Sequence, residues 1–163
     1  MPKTSVTCRE AAEKATCALG DAKQLTKWQL PLPKIEWGRV VRVIDGDTVC
    51  VACPLAPEGN IVCFKVRLAG INCPEISKRS TVSSEERKVG LEAKRIVEER
   101  WLHKLVRVTV QGYEVWGRLL AQLEDEAGVN LSQWLLKEHL AVEYNGTGKV
   151  SVDWPSYRNE LGK

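Results

Sequence analysis

Six side chains in this sequence carry groups that could act together: Asp45, Asp47, Arg67, Asn72, Glu75 and Arg118. The passage Ile44-Asp45-Gly46-Asp47-Thr48-Val49 sets two carboxylates on either side of a glycine. Residues two apart on an extended chain share a face, and a glycine between them permits a sharp bend. Such a pair can hold a hard cation at a strand end, one carboxylate ligating and the other fixing the turn. Asp-Gly-Asp is also a common surface turn. Arg67 and Glu75 can equally be a surface ion pair of little worth. The order and neighbours of the whole set separate these readings.

The elements that must position these residues follow from pattern. Val40 to Val43 and Thr48 to Ala52 are rich in β-branched residues and read as strands broken by the Asp45-Gly46 turn. Pro54 to Asn60 is a hairpin loop, and Ile61 to Ile71 returns as a strand with Val62, Phe64, Val66 and Leu68 on one face and Cys63, Lys65 and Arg67 on the other. Ser84 opens a helix through Trp101, with Val89, Ala93, Ile96, Val97 and Trp101 as one apolar stripe. Strands follow over Leu105 to Val110 and Arg118 to Leu123, joined by the turn Gly112 to Gly117. Asn130 caps a helix carrying Leu131, Trp134, Leu135 and Leu140, and Asp153, with Pro155 just inside, starts a short last helix bearing Tyr157 and Leu161. Three strands, a helix, two strands and a helix predict an α+β, mainly β fold: a five-stranded antiparallel barrel of OB type, capped by helices.

Residues 1 to 37 differ from the rest. Arg9 to Ala18 is an alanine-rich, weakly amphipathic stretch, and Leu30-Pro31-Leu32-Pro33 forces extended chain. This part reads as an N-terminal extension and linker on a domain spanning residues 38 to 163. The chain has 163 residues, 44% hydrophobic and 28% charged, with a net charge of +3, so it can bury one core and any basic site must come from local clustering. No membrane-length apolar run or secretory signal is visible, which predicts an intracellular protein without a membrane partner, and no protein partner is evident.

Six cysteines without a signal read as thiols in a reducing compartment. Cys50 and Cys53 form a C-x-x-C pair, with Cys63 and Cys73 beyond, and raise the question of zinc. Cys50 alternates with valines, which suits a strand better than a zinc knuckle, so free thiols are expected.

Four strings in one order, Ile44 to Val49, Arg67-Leu68 followed by Asn72-Cys73-Pro74-Glu75, Gly117-Arg118-Leu119, and the helix after Asn130, together resemble the staphylococcal nuclease (thermonuclease) family. The resemblance covers about Gly38 to Tyr144. It implies a calcium-dependent nuclease acting on DNA or RNA with little sequence specificity, leaving 3′-phosphate and 5′-hydroxyl ends. By the same resemblance Asp47, Asn72 and the carbonyl of Cys73 would ligate the metal, with Asp45 nearby. Glu75 would sit beside the attacking water, and Arg67 and Arg118 would grip the scissile phosphate. These types suit that chemistry: guanidiniums offer planar, bidentate donors to an anionic phosphodiester, and a metal neutralises building charge.

Two departures stand out. Asn72 replaces the family's aspartate and removes a negative charge, which should weaken metal binding or shift the preference among calcium, magnesium and manganese. Trp116 stands where the family often has a tyrosine that touches a terminal phosphate. Tyr144 is a candidate base-stacking residue or a packed core tyrosine. Lys78 and Arg79, with Arg87 and Lys88, supply positive charge near Glu75 for a polyanion or form a solvated face. The competing function is a catalytically weakened nucleic-acid or peptide binding module on the same fold, towards which Asn72 leans.

Overall fold

The structure is a computed structural model and describes residues 31–55, 60–148 and 151–160, all within one compact unit, Pro31–Lys163. The expected helix over Arg9 to Ala18, most of the extension, the tip of the Pro54 to Asn60 loop and Leu161 lie outside the described residues.

Five long strands form the frame: β1 (Trp37–Val43), β2 (Thr48–Leu55), β3 (Asn60–Leu68), β5 (Leu105–Tyr113) and β6 (Leu119–Asp125). They close into a barrel in the order β1-β2-β3-β6-β5. Period-2 alternation turns Val40, Val49, Val51, Val66, Leu68, Val106, Leu119, Ala121 and Leu123 inward, where all are buried. The expected five-stranded barrel is present, with one refinement of strand direction. Four contacts are antiparallel, but β3 and β6 pair in parallel, through Val66↔Leu119, Arg67↔Leu120 and Leu68↔Ala121. An odd number of strands in a closed ring cannot alternate in direction throughout, so one parallel seam is unavoidable. That seam puts Arg67 beside the start of β6, where Arg118 enters.

The strand expected to run on to Ile71 ends at Leu68. Gly70 adopts φ +81°, a left-handed conformation that turns the chain, and Ile71–Asn72 forms a separate short strand, β4. β4 pairs with β7 (Val142–Glu143), which ties the segment after Gly70 to the chain beyond the second helix.

Helix α1 spans Ser84–Trp101, with Ser83 as its N-cap: the Ser83 side chain accepts the Glu86 N–H at 3.0 Å. Val89, Ala93, Val97 and Trp101 form its buried stripe, and it packs against β1. Helix α2, Leu131–Lys137, is capped by Asn130, which accepts from Gln133 N at 3.1 Å. It stops before Leu140, because His139 takes a left-handed φ of 50°. Leu140 is still fully buried, carried by the loop rather than the helix. Helix α3, Trp154–Asn159, begins at the Asp153 cap with Pro155 in its first turn. Arg158 fastens α3 by donating to Glu92 of α1 and to the Glu138 carbonyl at 2.8 Å. Among the described residues no helix is long and apolar enough to cross a membrane.

Candidate active site

The site is built at the start of β2 and the end of β3, where the turn after β1 meets the chain after Gly70. Ile44 N and Asp45 N both donate to the Thr48 carbonyl, closing a tight turn. Gly46 within it does not take a left-handed φ; its need is for space. A Cβ there would lie 2.9 Å from both Cβ and Sγ of Cys73. The glycine thus lets the turn press onto residue 73, and Asp47 Oδ2 accepts the Cys73 backbone N–H at 2.8 Å.

Asp47 is the hub. Its residue is only 7% exposed. Arg67 Nη1 approaches Asp47 Oδ2 at 3.1 Å, Thr48 Oγ1 donates to Asp47 Oδ1 at 3.2 Å, and Asp47 N donates to Asp45 Oδ1 at 3.2 Å. Burial raises the Asp47 carboxyl from 3.8 to about 7, opposed by Arg67 and reinforced by the nearby charge of Asp45. Arg67 also donates from Nη2 to Asn72 Oδ1 at 3.1 Å and from Nη1 to the Leu68 carbonyl at 3.1 Å. One guanidinium therefore joins the two side chains read as metal ligands.

Arg118 reaches the same cluster from the β5–β6 hairpin. Its Nη1 donates to Thr48 Oγ1 at 3.0 Å, so Thr48 links Asp47 to Arg118. Behind it, Glu114 Oε1 accepts Arg118 Nε at 3.1 Å, Arg118 N at 3.2 Å and Trp116 N at 2.9 Å. Burial works against the Glu114 charge, but the Arg118 side chain, the two backbone N–H groups and the guanidinium charge prevail and hold its carboxyl below the ordinary value. Thr48 and Glu114 were not singled out from the sequence. The only local signal for Glu114 is an acid four residues before an arginine across a Gly-containing turn, and Thr48 is identified only by the strand pairing Thr48↔Arg67.

Asp45, Asp47, Arg67, Asn72 and Arg118 thus form one connected group with the backbone of Cys73. The Cys73 thiol is buried and pushed well up by burial first and by Asp47 next, so it is a neutral wall of the site. Glu75 is not in that group: it is exposed, and its backbone N–H, not its carboxylate, is the bonded part, donating to Glu86 Oε1 at 3.2 Å. Lys78 and Arg79 are exposed in the same segment. Trp116 is 83% exposed at the hairpin tip. Tyr144 is half-buried, with its N–H on the Gly70 carbonyl at 2.9 Å and its hydroxyl on the Gly148 carbonyl at 3.2 Å, a fixed rather than core position.

For a hard divalent cation, the donors here are the Asp47 carboxylate, the Asn72 amide oxygen and the Cys73 carbonyl. All are oxygen, as calcium and magnesium require. A buried carboxylate resisting ionisation beside a second acid is also a place where a cation would lower the electrostatic cost. The residues fit such an ion, though the set is lean: among the described residues no three His, Cys, Asp or Glu side chains converge. The same holds for zinc at Cys50, Cys53, Cys63 and Cys73, which are free thiols, with Cys63 exposed and the others buried.

A closed five-stranded barrel with an Asp47–Arg67–Asn72 cluster at one edge fits a nuclease-like or nucleic-acid-binding fold. The family model for staphylococcal nuclease homologues matches residues 65–160, more than half of the chain, and the chain belongs to that family. No curated protein matches it.

Proposed function

We propose that this protein is a divalent-metal-dependent nuclease that hydrolyses phosphodiester bonds of DNA or RNA with little sequence specificity, leaving 3′-phosphate and 5′-hydroxyl ends. The observation that carries this reading is the convergence of Arg67 and Arg118 on Thr48 and Asp47. Two guanidiniums, one from β3 and one from the β5–β6 hairpin, each anchored on one side by an acid, are preorganised to receive an anion on the other.

The chain's own residues account for most of the work. Arg118 spends Nε on Glu114 and one Nη1 hydrogen on Thr48, which leaves the Nη2 end to meet a phosphate oxygen. Arg67 faces the same substrate from β3, and its bonds to Asp47 and Asn72 set the plane of its guanidinium. As water attacks in line, the added negative charge on the equatorial oxygens meets donors that need no reorganisation. Glu75, on the exposed segment after β4, would hold the attacking water or accept its proton. Asp47, Asn72 and the Cys73 carbonyl would hold calcium, or magnesium or manganese in its place. Bound there, the ion would neutralise phosphate charge and orient the reactants. Trp116 and Tyr144 would touch bases or a flanking phosphate, and Lys78 and Arg79 would contact the backbone.

Cleavage of labelled single- and double-stranded DNA and RNA, with each divalent ion and with chelator, tests this function. Metal-dependent cleavage is expected. A folded protein that binds oligonucleotides but never cuts them would instead support the binding-module reading.

A further inference from the structure

The outer face of β1, β2 and β3 continues from Arg67 and carries further positive charge that the reaction itself does not use. These three strands hold Arg39, Arg42, Lys65 and Arg67 and not one Asp or Glu, in a chain whose 24 basic residues nearly balance 21 acidic ones. Strand pairing fixes where the four basic side chains stand. Thr48 pairs with Arg67, Cys50 with Lys65 and Ala52 with Cys63, so Arg67 and Lys65 share the outward face of β3. Across β2, Cys50 pairs with Arg42 and Ala52 with Arg39.

Arg39 and Arg42 are three residues apart and would point to opposite faces of a regular strand. They do not, because β1 is bulged between Val40 and Arg42, and the register shift puts both arginines opposite same-face residues of β2. The bulge re-aims Arg42 outward beside Arg39. Arg39, Arg42 and Lys65 are all exposed, and none forms an ion pair with a described residue. Arg39 Nη1 donates to the His103 carbonyl at 2.6 Å and Arg42 Nη2 to Cys50 Sγ at 3.5 Å, neither of which neutralises the charge.

We propose that this face is the binding track for a single-stranded polynucleotide whose scissile phosphate lies at Arg67 and Arg118, with the flanking phosphates on Lys65, Arg42 and Arg39. The track rests on the proposed function for its starting point. Arg67 and Lys65 are separated by roughly 6.7 Å along β3, and Lys65 and Arg42 by roughly 10 Å across β2. Those steps suit the spacing of phosphates on a stretched, flexible strand. A stiff duplex meets a twisted face of three strands along a short line and would reach fewer of the four cations. An anionic chain is favoured over a peptide because, apart from the Asp47 partner of Arg67, the face offers positive charge without an acid or a large apolar cleft.

The test is fluorescence-anisotropy binding of a labelled ten-nucleotide single strand and of a matching duplex, across salt concentrations, with a non-cleavable backbone. Lys65→Ala/Arg42→Ala is compared with wild type, and Arg39→Ala is added as a third change after folding is verified by circular dichroism. Each lost phosphate contact should lower the salt slope by about 0.7, so the triple variant should lose roughly two units. The wild type would then shed on the order of tenfold more affinity than the triple variant between 50 and 200 mM salt. A dinucleotide, which cannot leave the Arg67–Arg118 site, should bind the variants and the wild type alike. Unchanged slopes, equal weakening of the dinucleotide, or equal loss on the duplex would overturn the track. If wild type binds as described yet never cleaves, the track stands and the nuclease reading falls. If it cleaves while slopes are unchanged, the reverse holds.

Discussion

Arg118 is held at two points, by Glu114 behind and Thr48 beside, and the cost of loosening either hold should appear in turnover before it appears in folding. Removing a charge-assisted donor from a transition-state site costs about 2.7–4 kcal/mol, so Arg118→Ala should lower turnover by roughly a hundred- to thousandfold. Glu114→Gln keeps an oxygen acceptor but loses the charge, and should cost on the order of tenfold in kcat. In the Arg118→Ala background the same change should do almost nothing further, because the two side chains act as one unit. Steady-state kinetics of the double-mutant cycle checks this. Glu114 also gives a pH prediction. Its folded carboxyl lies below the ordinary value of 4.5, so its contribution to stability is present above that value and is lost as pH falls through the folded one. Thermal melts from neutral pH down to pH 3 should show the wild type losing more stability than Glu114→Gln. At the proposed metal site, Asn72→Asp should raise calcium affinity and lower the ion concentration needed for activity, read by calorimetric titration. Of these residues, the sequence supplied Asp47, Arg67, Asn72 and Arg118, because they sit in short strings that travel together. Thr48 and Glu114 were hidden because their roles exist only across a strand pair and a hairpin.

At the level of elements, close approaches govern the site as much as charge does. Gly90 lies on the face of α1 that touches the segment carrying Glu75. A Cβ at Gly90 would stand 2.7 Å from the Pro74 carbonyl oxygen and 3.0 Å from that of Glu75. Alanine in a helix interior usually stabilises relative to glycine by roughly 1 kcal/mol. Here the clash is with backbone, which cannot rotate away, so Gly90→Ala should destabilise the fold and shift the Glu75 segment. Chemical denaturation alongside a cleavage assay would show both losses together. A more stable, equally active Gly90→Ala protein would mean that the segment does not need this packing. The helices were legible because caps and a 3.6-residue stripe are local: Ser84–Trp101 and the Asn130 cap follow directly from the pattern. The two-residue strands β4 and β7 have no period to read, and the end of β3 depends on the backbone of Gly70. The bulge in β1 likewise leaves no mark in the residue types, since Val40 and Val41 look alike.

Within the unit Pro31–Lys163 the closed barrel brings distant segments together at one edge: the turn after β1, the end of β3 and the start of β6. The chain's small net charge conceals a basic face on β1 to β3, and for that reason composition alone pointed to no partner. The arrangement of five strands was predictable from their order, and closing an odd ring requires one parallel seam, but that β3 and β6 form it, bringing Arg67 and Arg118 together, was not legible in the residue types. The central claim is that this convergence cleaves phosphodiester bonds. The most direct measurement is cleavage of a labelled single-stranded oligonucleotide in calcium by the wild type and by a folded Arg118→Ala protein. The account predicts fragments with 3′-phosphate ends from the wild type, suppressed by chelator and reduced at least roughly a hundredfold by the substitution. Equal cleavage by both proteins, or none by the wild type with any divalent ion, would contradict it.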